Sequence, residues 1–297
     1  MNNHASIATN RSPDCAASPG QPCQLRPLGT FEDLSGRVGE VSVLQCTRCG
    51  HGISLPLLPD VAFLYQGRET QDFVQDGSSL GHAIKNVAFR RQARTLLKQL
   101  PVRPAKALDF GCGSGQFTRI LGDVLGAGAV TGSDFDESPP ADLTGRPYLP
   151  ASRLSEAEGT FDLVLAMHVL EHDDDAAGLL HRIAAMAKPG GTIVIEVPNI
   201  ECAWVSVFGK AWDAWYLPYH RSHFSWASLV ELAARAGYEV IAVHDVCVPT
   251  MGRSLSNLVG GSKGLPWLLA GIAAHPVQWI VEKASGRPSA LRLVLRK

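Results

Sequence analysis

The sequence lacks an excess of charge of either sign: 27 basic residues stand against 28 acidic ones, a formal net charge of −1. Nucleic-acid binders ordinarily need a basic face to neutralise phosphates, so this balance counts against one. No repeat recurs along the chain, which removes solenoids and propellers. The opening stretch MNNHASIATNRSPDCAASPGQPC holds no apolar run of signal-peptide length and reads as a flexible lead-in. The most apolar late stretch, GLPWLLAGIAAHPVQWIV, is broken by Pro266, His275, Pro276 and Gln278. That is a poor bilayer span, better suited to a packed helical pair, a lid or a membrane-facing surface. The cysteines number seven, an odd count without a secretory signal, which fits reduced thiols in a cytoplasmic protein.

What is present is a chain of 297 residues, 45% hydrophobic and 19% charged, able to bury a sizeable core. EVSVLQCTRCGHGISL reads as two short strands around a Cys-x-x-C turn. From Gly81, apolar residues at helical spacing run to Leu100, and Pro101 closes them. Strands then alternate with helices: KALDF, a helix over Gln116–Leu125, GAVTGSD, FDLVLAM, a helix opened by three aspartates and stopped at Lys188-Pro189-Gly190-Gly191, and TIVIEVPN. A helix capped by Ser225, the strand YEVIAVHDVCV and the terminal ALRLVLRK complete the series. Such alternation implies parallel pairing with helices on both faces, and a ligand across the carboxyl ends of the strands.

The strongest local signal is ALDFGCGSGQF. A glycine loop between strand and helix lets backbone approach a ligand and presents unpaired N–H groups. A dinucleotide site needs Gly-x-Gly-x-x-Gly. Here the glycines are Gly111, Gly113 and Gly115, and Gln116 stands where the third dinucleotide glycine belongs, which argues against NAD. Asp134, closing the next strand, suits a ribose, since a carboxylate accepts from both hydroxyls.

In these motifs the sequence resembles the class I S-adenosylmethionine-dependent methyltransferases, especially bacterial enzymes acting on nucleotide-sugars, quinone precursors and secondary metabolites. LDFGCGSG, VTGSDFDES, GTFDLVLAMHVLEH and MAKPGGTIVIEVPN carry the resemblance. It implies an α/β, Rossmann-like, doubly wound and mostly parallel seven-stranded sheet with an antiparallel last strand. Asp109, Gly111 and Gly113 would surround the methionine part of the cofactor, with Cys112, Gly115 and Gln116 completing the loop. Asp134 would hold the ribose, Phe135 would lie beside the adenine, and Met167 and His168 would line the sulfonium side. Cys112 sits where the loop needs a small residue, so no redox role is assigned to it.

HVLEH, residues 168–172, spells the inverted zinc-peptidase motif. A peptidase site needs both histidines on one helical face, whereas here the motif begins at the end of a buried strand. Glu171 and His172 are instead expected to shape a loop facing substrate. Methyltransferases with E-x-x-E-H bind a divalent metal at a similar loop, but here His168 replaces the first glutamate. Downstream, WDAWYLPYHRSHFSWASL concentrates Trp212, Trp215, Tyr216, Tyr219, His220, His223 and Trp226. It resembles a substrate-facing segment of the same enzymes, with His220 and His223 as candidate bases. Cys46 and Cys49, together with Cys15 and Cys23, resemble a structural zinc module found in some relatives, although Cys15 and Cys23 are spaced loosely.

The expected organisation is an N-terminal lead-in and zinc-ribbon-like remnant over 1–80, then a methyltransferase domain over 81–297 with a helical insertion at 249–289. The insertion would cover substrate or form a homodimer contact. The expected activity is transfer of a methyl group to an oxygen or carbon of a small metabolite, with no nucleic-acid partner and no transmembrane segment. A cofactor-binding scaffold without transfer activity and an RNA methyltransferase are the alternatives.

Overall fold

The computed structural model describes residues 15, 20–58, 60–65, 79–260 and 264–297. The rest of the expected lead-in lies outside the described residues. In chain order the strands and helices are β1 (Leu25–Phe31), β2 (Val41–Cys46), β3 (Gly52–Leu55), α1 (Ser79–Gln99), β4 (Ala107–Phe110), α2 (Gln116–Leu125), β5 (Val130–Ser133) and β6 (Phe161–Met167). There follow α3 (Ala176–Ala185), β7 (Ala187–Pro198), α4 (Ala203–Phe208), β8 (Ser222–His223), α5 (Trp226–Arg235), β9 (Glu239–Val246), α6 (Met251–Leu258), α7 (Leu265–Ser285) and β10 (Ala290–Arg296).

Six strands form the main sheet in the order β5-β4-β6-β7-β10-β9. β4 pairs parallel with β5 and β6, and β6 with β7, while β10 runs antiparallel to both β7 and β9. The fold is therefore α/β with an antiparallel last strand, as the sequence suggests. The expected seventh strand is reduced, among the described residues, to one parallel bridge between Gly132 and Tyr148 outside β5. Prolines at 147 and 150 flank Tyr148 and deny the ladder its donors. Lys188-Pro189-Gly190-Gly191 also departs from expectation. It bulges within β7, between the pairings Phe161–Ala187 and Leu163–Thr192.

Core residues lie on both faces of this sheet. Ala93 and Leu96 of α1 and Leu121 of α2 pack on one side, and Leu180, Ile183, Leu229 and Ala233 of α3 and α5 on the other. Ser225 caps α5 reciprocally with Ser228, satisfying two otherwise orphaned N–H groups. The chain reverses direction in the sheet between β4 and β6, so the carboxyl ends there form the crevice where ligands bind.

A second sheet has the order β1-β2-β3-β8, all antiparallel. β1 was not evident in the sequence because it is a largely exposed edge containing Pro27. Its fourth strand comes from Ser222–His223, far along the chain, so the small sheet is tied into the segment that follows β7.

The insertion after β9 is the helical pair α6–α7. The two helices approach at Gly252 and Gly271, where a Cβ on Gly252 would come 2.1 Å from the Trp267 carbonyl oxygen. Backbone cannot yield as a flexible side chain can, so Gly252→Ala should lower stability by about 1–3 kcal/mol. Gly128→Ala, where nothing lies within 4 Å, is the matched control. Thermal unfolding of both variants checks this, and equal midpoints would contradict the close packing.

Candidate functional site

The site begins where β4 ends. Gly111, Gly113 and Gly115 all have positive φ, of 74°, 55° and 77°, a conformation that glycine adopts without a Cβ clash. Space is equally restrictive: a Cβ at Gly111 would lie 2.6 Å from a Val169 methyl. The loop is anchored by Gly111 and Cys112 N–H groups donating to the Ser133 carbonyl. Gly113 N–H donates to Asp134 Oδ2 at 2.7 Å, and Phe135 N–H to Oδ1 at 2.8 Å. The structure thus brings the loop and Asp134 together at the ends of β4 and β5.

Asp109 is buried and accepts from the Thr118 hydroxyl at 2.6 Å. Burial, with Asp134 nearby, pushes its carboxyl up to about 6. Burial and both aspartates push the Cys112 thiol up, which keeps it protonated and unreactive. Gln116 turns away from the loop and donates to Asn86 Oδ1 at 3.1 Å, so its side chain braces α1. Phe135 stands 69% exposed beside the loop, an aromatic face with room for a ring against it.

The HVLEH residues follow β6 directly. His168 has φ 58°, and the Leu170–His172 stretch is a single 3-10 turn. The histidines therefore do not share a helical face, and the peptidase arrangement is absent. His168 lies 3.2 Å from Glu171 Oε1 and 3.2 Å from Glu196 Oε1. Burial works against charging its ring, but the two carboxylates outweigh this and lift it to about 10. Glu196 is itself paired with buried Arg292. His168 is thus an imidazolium held between acids.

His220 completes the opposite wall. Its Nδ1–H donates to the Ala214 carbonyl at 2.8 Å, which fixes the tautomer and leaves Nε2 as an acceptor. Nε2 is 3.9 Å from Glu171 Oε1. Burial, with His172 and His223 nearby, drives His220 well below the usual histidine range, so it is neutral near pH 7. The His172 ring meets that of His220 edge-on at 4.7 Å, and His172 Nδ1 is 2.7 Å from the Tyr65 hydroxyl. Tyr65 in turn neighbours Tyr219 at 5.5 Å and Phe135 at 6.2 Å, and Tyr216 packs between Tyr219 and His220. One wall joins the cofactor-loop side to the histidines.

The expected aromatic cluster therefore divides. Tyr216, Tyr219 and His220 face the site. Trp212 and Trp215 are buried in the core beneath the insertion. Trp226 opens α5 and donates to Asp245. The structure does not bring His223 to the cluster: it lies in β8, with Nε2 2.9 Å from Ser54 Oγ and its ring against Trp215. Glu171, His172 and His220 could also hold a divalent ion, since one ligand atom from each lies within 4.8 Å of the others. His168, the first residue of HVLEH, is not part of that set.

Two site residues had no sequence signal. Tyr65 reaches the pocket from the far end of the N-terminal segment. Arg221, fully buried, pairs with Asp174 at 3.3 Å and donates to the carbonyls of Ser54, Pro56 and Pro218. Its own N–H donates to the Glu171 carbonyl at 2.6 Å. It staples β3, the HVLEH loop and the Tyr216–His220 wall together.

The four N-terminal cysteines, despite their loose spacing, converge. Their Sγ atoms all lie within 4.8 Å of one another, with Cys15–Cys46 at 3.7 Å and Cys23–Cys49 at 3.6 Å. That is too far for disulfides and close to the sulfur separations of a tetrahedral zinc–thiolate site. Burial opposes ionising Cys46, but N–H groups of Cys49 and Arg48 donate to it and bring it down to about 6. A ready thiolate is what such a metal needs. The knot bonds to the rest of the protein through Ser225 Oγ donating to the Cys49 carbonyl, and Arg235 to that of Cys15.

A glycine loop at the switch point of a doubly wound sheet, closed by an acidic residue on the next strand, defines a domain for a nucleoside-bearing cofactor. The comparisons with known proteins narrow the class. A family model described as "Methyltransferase domain" matches residues 82–243, more than half of the chain, and the chain belongs to that family. A probable S-adenosylmethionine-dependent methyltransferase of Mycolicibacterium smegmatis is 30% identical over 168 residues, covering 54% of this chain and 62% of that protein. A ubiquinone biosynthesis O-methyltransferase of Rhizobium rhizogenes is 35% identical over 109 residues, covering 33% of this chain and 43% of the other. The matches thus span only about half the length of these relatives. Among solved structures, a Burkholderia thailandensis 1,6-didemethyltoxoflavin-N1-methyltransferase superposes with TM-score 0.50 at 19% identity, covering 83% and 95% of the two chains. That likeness shows a shared fold.

The buried histidines set a pH profile. Burial lowers His51 to about 4 and His223 to about 3, as well as depressing His220. Below about pH 6.5 the unfolded chain protonates these rings and the folded one does not, so stability falls with acidification. His168 acts in the opposite sense: its contribution is complete below about pH 6.5 and is lost as pH rises through about 10. The thermal midpoint should therefore peak near neutrality. His223→Gln should flatten the acid limb and His168→Gln the alkaline one; unchanged limbs would contradict the assignments.

Proposed function

We propose that this protein is an S-adenosylmethionine-dependent methyltransferase that methylates a hydroxyl oxygen of a small planar acceptor. The observation that carries this reading is His220. It is a neutral imidazole with Nε2 available, beside a carboxylate and an aromatic wall, across from the glycine loop. The name of the Rhizobium relative, an O-methyltransferase, supports oxygen over carbon.

The residues present suit the cofactor. Three left-handed glycines leave a bare backbone cradle, Asp134 offers a carboxylate for the ribose, and Phe135 offers a face for the adenine. Asp109, Gly111 and Gly113 would hold the methionine end, with Met167 and His168 near the sulfonium. When bound, S-adenosylmethionine supplies an activated methyl group for direct displacement. Alignment of acceptor and methyl then accounts for most of the acceleration. Tyr65, Tyr216 and Tyr219 stack and orient the acceptor. His220 Nε2 takes the hydroxyl proton, and Glu171 stabilises the imidazolium that forms. His172, fixed by Tyr65, holds the adjoining wall.

His220→Ala should reduce kcat by about 10²–10⁴-fold while S-adenosylhomocysteine binding stays within about twofold of wild type. The assay is release of S-adenosylhomocysteine over a panel of phenolic and catecholic acceptors. A fall of less than about threefold on the preferred acceptor would remove His220 as the base.

Within the same reading the four cysteines hold one structural zinc ion. Elemental analysis should return one zinc per chain in the wild type. Cys46→Ser should lose the metal and lower the thermal midpoint. Zinc-free wild-type protein with unchanged stability would refute it.

A further inference from the structure

His220 is held at three points, and two of them are local. Its N–H donates to the Tyr216 carbonyl at 3.1 Å, and its Nδ1–H to that of Ala214. The third comes from 166 positions away: Ser54, fully buried in β3, donates its hydroxyl to the His220 carbonyl at 2.9 Å. Nε2 is the polar atom of His220 that these bonds leave over, and it lies on the side of Glu171.

The Ser54 hydroxyl has a second partner, since His223 Nε2 lies 2.9 Å from the same oxygen. A hydroxyl carries one proton, and here it is committed to His220, so Oγ can only accept from His223. Burial holds His223 down to about 3, so at pH 7 its ring is neutral and bears a single N–H. That proton sits on Nε2. The two buried histidines thus take opposite tautomers, Nδ1–H at His220 and Nε2–H at His223. A directed chain runs from His223 Nε2–H to Ser54 Oγ–H to the His220 carbonyl, and each bond polarises the next.

Closing the small sheet does not require this chain. β3 and β8 already pair through Gly52–His223 and Ile53–Ser222. The Ser54 N–H donates to the Arg221 carbonyl at 2.8 Å, and the Arg221 guanidinium returns a bond to the Ser54 carbonyl at 3.1 Å. All of these join the strands without the Ser54 hydroxyl. The hydroxyl reaches past them to His220 and fixes the peptide plane beside its imidazole.

We infer that, with His220 as the base of the function proposed above, Ser54 and His223 are its positioning residues. The small sheet thereby enters the reaction, because it sets where Nε2 meets the acceptor hydroxyl. A base must stand within hydrogen-bond reach of the proton it removes, and a displacement of about 1 Å can cost about 10²-fold in rate. His223, neutral and turned to Ser54, takes no proton from the acceptor.

The test joins ring ¹⁵N chemical shifts to steady-state kinetics of the full chain. The shifts, read on wild-type protein, should report Nδ1–H at His220 and Nε2–H at His223. The kinetics use the preferred acceptor of the phenolic and catecholic panel. Ser54→Ala should lower kcat roughly tenfold or more, while acceptor KM and S-adenosylhomocysteine affinity stay within about twofold of wild type. Loss of packing alone would not split kcat from KM in this way. His223→Leu should behave like Ser54→Ala. His223→Gln, whose amide nitrogen stands in for Nε2–H, should keep kcat within about threefold of wild type. An Nδ1–H tautomer at His223, or an unchanged kcat in Ser54→Ala, overturns the inference and leaves His220 as the base. An Nε2–H tautomer at His220 removes the base itself, and the positioning role falls with it.

Discussion

The wall proposed to receive the acceptor depends on the buried guanidinium of Arg221. A fully desolvated cation must be paired and its donors satisfied, since an unmet charge costs several kcal/mol. Asp174 supplies the countercharge, and carbonyls of Ser54, Pro56 and Pro218 accept from the guanidinium. These partners belong to three separate stretches of chain. Satisfying one side chain therefore fixes the small sheet, the loop after β6 and the wall carrying His220 relative to one another. The cysteine knot works in the same direction, because it holds β2 and β3 against the start of α5 through Ser225.

The cofactor side needs no such long-range closure, and this explains which parts of the site are legible in sequence. The glycine loop, Asp109 and Asp134 are fixed by local geometry. Left-handed backbone needs glycine, and a strand ending must be followed by its loop, so spacing alone brings Gly113 to Asp134. The acceptor side is built by contacts between residues more than a hundred positions apart. Tyr65 meets His172, and the Ser54 hydroxyl donates to the His220 carbonyl. Neither pairing leaves a periodic trace. Composition also misleads there: a run of tryptophans, tyrosines and histidines looks like one pocket, but burial sorts it. Trp212 and Trp215 serve the core, His223 the small sheet, and only Tyr216, Tyr219 and His220 reach the crevice.

The sheet shows the same division. Alternating apolar runs betray its buried strands, whereas the seventh position shrinks to a bridge because prolines flank Tyr148. β1 hides because an exposed edge strand has no hydrophobic alternation to read. The HVLEH string is the clearest case of context deciding chemistry. On a helix it would place two histidines on one face. Emerging from β6 through a left-handed residue, it instead sends His168 between Glu171 and Glu196 and sets His172 against Tyr65. His168 thus stands as a cation between two carboxylates, and His220, buried and neutral, is the base in the function proposed above.

The most direct test of the account is calorimetric titration of S-adenosylhomocysteine, and separately NADH, into wild type and Asp134→Ala. Wild type should bind S-adenosylhomocysteine, the variant about tenfold or more weakly, the scale of a lost charge-assisted hydrogen bond, and neither should respond to NADH. Binding of NADH, or of neither compound, would contradict the reading of the glycine loop and of the transfer site built upon it.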